Sequence, residues 1–269
     1  MSSQKTRPER RAARNCATSL DAFLGGRIHI VQPRGGHRAG SDAVFLAAGV
    51  PARPGERVLD VGAGVGVAGL CLLARVSPLE VTAVEIDEEL CAFAGENAGR
   101  NGVSASFRIV NTDVTGSAKS HRDAGLLREG YDHVIANPPF YSEGSVRRAP
   151  GEARASAHVM SAGALAGWVR FLTSHASPKG RITLIHRADH LGELLRLLER
   201  RFGDLAVFPL FPKLGDPAAR VIVQGRKGSR AGIRLLQGLV LHGSDGSYTE
   251  AAEAVLRGGA ALPLGARMK

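Results

Sequence analysis

From residue 57 onward the chain alternates two kinds of apolar pattern. Short continuous apolar runs fall at 57–61, 80–85, 106–110, 131–136 and 180–186. Between them lie amphipathic stretches near 66–75, 87–100, 161–176 and 190–202. The runs have strand length and the stretches have helix length and periodicity. Strands separated by helices predict an α/β fold with a doubly wound, mostly parallel sheet. Two later runs, 204–211 and 219–226, flank a Pro/Gly/Asp-rich turn and predict a hairpin. A last strand and helix follow near 233–241 and 248–257. Ahead of the alternation, residues 23–31 read as a hairpin around Gly25-Gly26. The segment GSDAVFLAAGV (40–50) reads as a helix capped by Ser41 or Asp42.

Charge adds a partner class to this picture. The 269 residues carry a formal net charge of +10, which favours an anionic partner, nucleic acid foremost. Residues 1–19 form a basic arm, with Lys5, Arg7, Arg10, Arg11 and Arg14 against Glu9. The main domain is expected over 20–260, with 261–269 as a tail. Cys16, Cys71 and Cys91 have no metal-ligand or disulfide spacing, so a reducing, cytoplasmic setting is expected. No secretory signal or membrane span is expected, because no apolar run approaches 18 residues. His158, His186 and His190 lack ligand-type neighbours, so no metal is expected either.

Two stretches carry candidate chemistry. VLDVGAGVGVAG (58–69) is a strand, a glycine turn and a helix start. Glycines there let a ligand approach the backbone beside a helix N-terminus. Gly64, Gly66 and Gly69 spell the dinucleotide fingerprint G-x-G-x-x-G, which keeps a nicotinamide-dependent oxidoreductase open. Gly62, Gly64 and Gly66 read instead as G-x-G-x-G with Asp60 two residues before. That acid would repel a pyrophosphate but suits a zwitterionic amino acid carrying a sulfonium, as in S-adenosylmethionine. Glu85 closes the next strand, where an acid accepts hydrogen bonds from ribose hydroxyls. Ile86 beside it joins the cofactor-binding candidates. Asp113, past the following strand, is placed to accept from an adenine amino group.

The second stretch is ANPPFY (136–141), at the end of the fourth strand of the alternation. Its prolines stop the ladder and fix where the chain turns. An exocyclic amino group is a poor nucleophile because its lone pair is delocalised into the ring. The Asn137 side-chain oxygen and the Pro138 carbonyl are suited to hold its two hydrogens, and Phe140 offers a stacking face. Such a site works by orientation and by stabilising developing charge rather than through a strong base. Asn137 also borders the cofactor candidates. Arg147, Arg148 and Arg154 follow in a long cationic loop and are candidates for RNA contact.

On HRAGSDAVFLAA (37–48), VLDVGAGVG (58–66), AVEID (83–87), NTDV (111–114) and YDHVIANPPFY (131–141), the chain resembles class I S-adenosylmethionine methyltransferases of the methyltransferase-small type. Within them it resembles bacterial tRNA adenine-N6 methyltransferases, with a weaker match over 239–258. The resemblance covers roughly residues 22–260. It implies a seven-stranded sheet with an antiparallel last strand, S-adenosylmethionine as cofactor, and tRNA as the favoured partner. It also implies that the segment from His37 to Asp42 lines the cofactor pocket, and His37 and Arg38 join the RNA-contact candidates. Phe140 stands where many relatives have Tyr; stacking survives that change, a phenol hydrogen bond does not. Asn-Pro-Pro-aromatic motifs also serve guanine-N2 and glutamine-N5 methyltransferases. The glutamine-N5 group carries a helical substrate domain before the glycine loop, whereas here a hairpin precedes it. The guanine-N2 group often duplicates the domain. A non-enzymatic RNA-binding protein would not need Asp60, Glu85 and Asn137 intact.

Overall fold

A computed structural model of the chain describes residues 17–35, 38–139 and 164–265. The N-terminal hairpin pairs β1 (Thr18–Phe23) with β2 (Ile28–Pro33) through a tight turn at Leu24–Gly26. Helix α1 (Ser41–Gly49) follows, with nearly all its side chains buried. Then strands and helices alternate: β3 (Arg57–Val61), α2 (Val67–Arg75), β4 (Glu80–Glu85), α3 (Glu88–Arg100) and β5 (Phe107–Asn111). Next come α4 (Ala118–Asp123), β6 (Tyr131–Ala136), α5 (Ala164–His175), β7 (Ala176–Arg187) and α6 (Leu191–Leu198). The chain closes with β8 (Phe202–Lys213), β9 (Arg220–Lys227), β10 (Arg234–Leu235), β11 (Leu239–His242) and α7 (Glu250–Leu256).

The main sheet runs β10-β8-β9-β7-β6-β3-β4-β5, with β11 also on β8. Strands β3 to β7 are parallel, and β9 is antiparallel to both β7 and β8. The expected seven strands are present as β3 to β9; β10 and β11 lengthen the sheet at its β8 edge. Residues of one strand alternate between two cores. Val58 and Ile135 pack with α1, α2 and α3, while Leu59, Val134 and Ala136 pack with α5 and α6. A strand buried on both faces must be apolar throughout, which is why these runs lack a polar alternation. β3 leads to β4 and β5 on one side, and β6 pairs with β3 on the other. Chain direction across the sheet therefore reverses between β3 and β6, where open α/β sheets bind ligands at their carboxyl ends. Among the described residues no helix is long and apolar enough to cross a membrane.

Several boundaries differ from expectation for physical reasons. α1 opens on Ser41 itself, and Gly40 at its cap position makes no side-chain cap bond. Asp42 instead accepts a hydrogen bond from Arg220 Nε at 3.0 Å, tying α1 to β9. The final strand breaks into β10 and β11 at Gly238, which takes φ +80° where the chain passes the Pro209 carbonyl. β1 begins at Thr18, inside the segment read as an arm, and the segment read as a tail contributes buried Leu262 and Leu264.

The hairpin is docked by amides rather than by another strand. Asn97 on α3 accepts from Val31 N (2.8 Å) and donates to Val31 O and Val65 O (3.0 Å each). One helical turn on, Asn101 accepts from His29 N (2.9 Å) and donates to His29 O (2.8 Å). Two side chains at i and i+4 thus read out β2 residues at i and i+2, as a neighbouring strand would. Asn97→Ala should destabilise the fold by roughly 2–4 kcal/mol, because its partners at Val31 and Val65 lose their bonds together. Urea unfolding of the variant against the natural chain measures this.

Candidate functional site

The glycine loop is fastened to the neighbouring strand before α2 begins. Gly62 N and Ala63 N both donate to Val84 O on β4, at 2.8 and 3.0 Å. Gly62 takes φ +68°, and a Cβ there would lie 2.5 Å from the Trp168 ring of α5. Gly64 takes φ +57°, and a Cβ there would meet nothing within 4 Å. The first glycine is therefore a packing requirement, whereas the second presents bare backbone to an open face. Gly66 forms the N-cap of α2.

Two acidic residues bond to this loop and to the helix after it, and a third lies past the end of β5. Asp60 on β3 is buried, and its Oδ2 accepts from Gly69 N on α2 at 2.9 Å. Burial pushes its carboxyl up to about 7; the Gly69 N–H opposes that rise, and the negative Glu85 adds to it. Glu85, last residue of β4, accepts from Gly64 N (2.9 Å), Ile86 N (2.8 Å) and Asp87 N (3.0 Å). It clamps the glycine loop, and a carboxylate with about four lone-pair sites retains capacity for a hydroxyl. Ile86 beside it is exposed. Asp113 is exposed past the end of β5, with Oδ1 accepting from Thr115 N (2.7 Å) and Thr115 Oγ1 (2.8 Å). Asn111 and Thr112 bond the backbone carbonyls at Glu85 and Ile86, lacing the β5 end to the β4 end.

Asn137 completes the arrangement from the other side of the reversal. Val61 and Ala136 are paired in register, so Gly62 and Asn137 leave adjacent strand ends together. Among the described residues no donor reaches the buried Asn137 Oδ1. Leaving a buried carbonyl oxygen unpaired costs about 1–3 kcal/mol, so such an atom is informative about what the site is built to meet. Pro138 is buried behind it. Arg38 lies 2.6 Å from Asp21 of β1, an ion pair that anchors the segment before α1 to the hairpin. His37, Phe140, Arg147, Arg148 and Arg154 lie outside the described residues. Among those described, no group of three or more His, Cys, Asp or Glu side chains gathers as a metal site would require.

The methyltransferase small domain matches residues 38–168. A tRNA1(Val) (adenine(37)-N6)-methyltransferase of Trichodesmium erythraeum is 30% identical over 193 residues, covering 68% of this chain and 77% of that one. The chain belongs to the methyltransferase small domain family. The enzyme of the same name from Erwinia tasmaniensis is 31% identical over 131 residues, 48% of this chain and 51% of its own. The match therefore spans about half the length of that curated relative. Among solved structures, an Agrobacterium tumefaciens protein described as a predicted O-methyltransferase superposes with a TM-score of 0.70 at 30% identity, over 82% of this chain and 98% of its own.

S-adenosylmethionine is the methyl donor of this family, and the residues present fit it. Gly64 offers an uncrowded backbone surface, and Asp60 and Glu85 offer negative charge beside it. The open backbone would admit the pyrophosphate of a nicotinamide dinucleotide as well, but a negative charge on Asp60 would repel it. Two residues that support these positions carry no signal in the sequence. Trp168 supports Gly62 from α5, although its helical position marks only a core residue. His121 supports Asp113 from α4, a polar six-residue helix with no apolar period to announce it.

Proposed function

We propose that this protein transfers the methyl group of S-adenosylmethionine to the exocyclic N6 of an adenine in tRNA. The observation that carries the reading is the buried Asn137 Oδ1, without a partner among the described residues, at the strand end next to the glycine loop. A buried acceptor that no described residue donates to is matched to an incoming N–H. The bound donor supplies an electrophilic methyl on a cationic sulfur. Asp60 and Glu85 favour that cation, and the Gly64 backbone lets it approach. Asn137 Oδ1 and the Pro138 carbonyl take the two amino hydrogens and draw the nitrogen toward pyramidal geometry. As the N–C bond formed, the S–CH3 bond would break and leave neutral S-adenosylhomocysteine, and the nitrogen, now cationic, would lose one of those hydrogens as a proton to water. Phe140 stacks on the base, which must be presented unstacked, as a loop nucleotide is. The relatives named for adenine-N6 methylation of tRNA1(Val) support adenine and tRNA as substrate class. The net charge of +10 supports an RNA partner.

Oxygen methylation, after the description of the Agrobacterium protein, fits less well. A hydroxyl acceptor requires a base for its proton, and neither an amide nor a proline carbonyl is one. The test is transfer of labelled methyl to total tRNA, total rRNA and a protein fraction, followed by digestion and mass spectrometry. N6-methyladenosine in the tRNA fraction is expected. N2-methylguanosine, methylglutamine or a ribose-methylated nucleoside as the sole product would overturn the assignment.

A further inference from the structure

We infer that His121 is a positioning residue for the adenine end of the cofactor, acting through Asp113; this rests on the reading of Asp113 as the acceptor for the adenine amino group. His121 Nε2 lies 2.9 Å from the Asp113 backbone oxygen. A carbonyl can only accept, so Nε2 carries the proton and His121 donates. Gly116 N donates to the same oxygen at 3.0 Å, closing the turn from residue 113 to 116. The turn is tight: a Cβ on Gly116 would stand 2.9 Å from that oxygen and 3.4 Å from His121 Nε2. Thr115 holds Asp113 Oδ1 with two bonds, and among the described residues Oδ2 accepts none. Backbone and one carboxylate oxygen are thus fixed, and the second oxygen remains as the acceptor that a ligand can use.

His121 is itself buried and held by α5 rather than by its own short helix. Phe171 meets its ring edge-on at 4.8 Å between centroids, and His175 lies at 5.6 Å. On the same stretch of α5, Trp168 packs under Gly62 and Gly167 approaches Thr115. Residues 167, 168, 171 and 175 recur at helical spacing, so one face of α5 supports the glycine loop and the Asp113 turn together. An aromatic of His121's size without its N–H would keep the packing and lose the grip on Asp113. That separates a positioning role from a purely structural one.

The experiment compares wild type, His121→Phe and His121→Gln by calorimetric titration. The two ligands are S-adenosylhomocysteine and its analogue with hydrogen in place of the adenine amino group. Wild type should prefer the amino form by about tenfold, the scale of one hydrogen bond to a charged acceptor. His121→Phe should bind S-adenosylhomocysteine about tenfold more weakly yet bind the deamino analogue within twofold of wild type. Gln, which keeps an N–H donor, should recover most of the loss. In turnover, His121→Phe should raise KM for S-adenosylmethionine and leave kcat at saturation within twofold. Equal weakening toward both ligands in both variants overturns the inference, because only general loosening acts that way. A wild type that does not distinguish the ligands overturns it through Asp113. A wild type that binds neither ligand refutes the methyltransferase reading itself.

Discussion

Replacing Asn137 with alanine is expected to lower kcat by roughly 10²–10³ while leaving S-adenosylhomocysteine affinity within about threefold. In the proposed site the cofactor would be held by Asp60, Glu85 and the glycine loop, and no hydrogen bond joins these to Asn137 among the described residues. The amide oxygen is buried with no donor among the described residues, so the folded enzyme gains nothing from it before substrate arrives. Removing it should therefore leave thermal stability unchanged or slightly raised, because an unsatisfied buried oxygen disappears. A residue that merely shaped the turn after β6 would behave oppositely, losing stability and keeping rate. Asn137→Asp retains an acceptor oxygen but buries a charge, and should fall between the two in rate with a clear loss of stability. Single-turnover methyl transfer, cofactor titration and a melting curve on each variant decide the matter. An alanine variant that methylates at the wild-type rate would place the chemistry elsewhere.

The second large effect belongs to Asp60. Burial lifts its carboxyl from the ordinary 3.8 to about 7, so the unliganded protein at pH 5–6 holds it largely protonated. A cationic ligand favours the charged form and pulls that value back down. Binding below pH 7 must then expel a proton, and cofactor affinity should fall by up to tenfold per pH unit beneath about 7. Above it, affinity should be flat. The sign for folding is opposite to that of a salt-bridged carboxylate. The folded protein binds this proton more tightly than the unfolded chain, so Asp60 destabilises the fold progressively as pH rises from about 4 to 7. By pH 8 the penalty reaches up to about 4 kcal/mol. Asp60→Asn should relieve much of it at pH 8 and little at pH 4, while weakening cofactor binding by roughly 3 kcal/mol, about a hundredfold. Burial lowers the His133 and His175 values, which favours the fold at higher pH and is lost on acidification. The difference between variant and wild type, rather than the wild-type curve alone, therefore isolates Asp60. Equal melting differences at pH 4 and pH 8 would count against this account.

How much could be read from the chain alone depended on burial. β3, β4 and β6 are buried on both faces, so their apolar runs marked their ends correctly at 57–61, 80–85 and 131–136. The glycines, Asp60, Glu85 and Asn137 stood out because each departs from what its strand or turn needs. α4 did not, since a six-residue polar helix has neither length nor apolar period. His121 was hidden with it. The dual use of Glu85 was also invisible, because its bonds run to backbone N–H groups that every residue possesses. Asn97 and Asn101 carry no signal in the sequence, because their partners lie 66 and 72 residues away.

Those two asparagines make the hairpin and α3 a single heritable unit. A strand docked on a sheet edge can drift in sequence, because any residue supplies the same backbone partners. Here the edge of β2 away from β1 meets a pair of side chains, so recombination between relatives that carried one piece without the other would leave Val31 and His29 unmatched on that edge. A chimera exchanging residues 18–33 alone should fold only where the recipient has amides at both helical positions. Transplanted together with α3, the same hairpin should be portable.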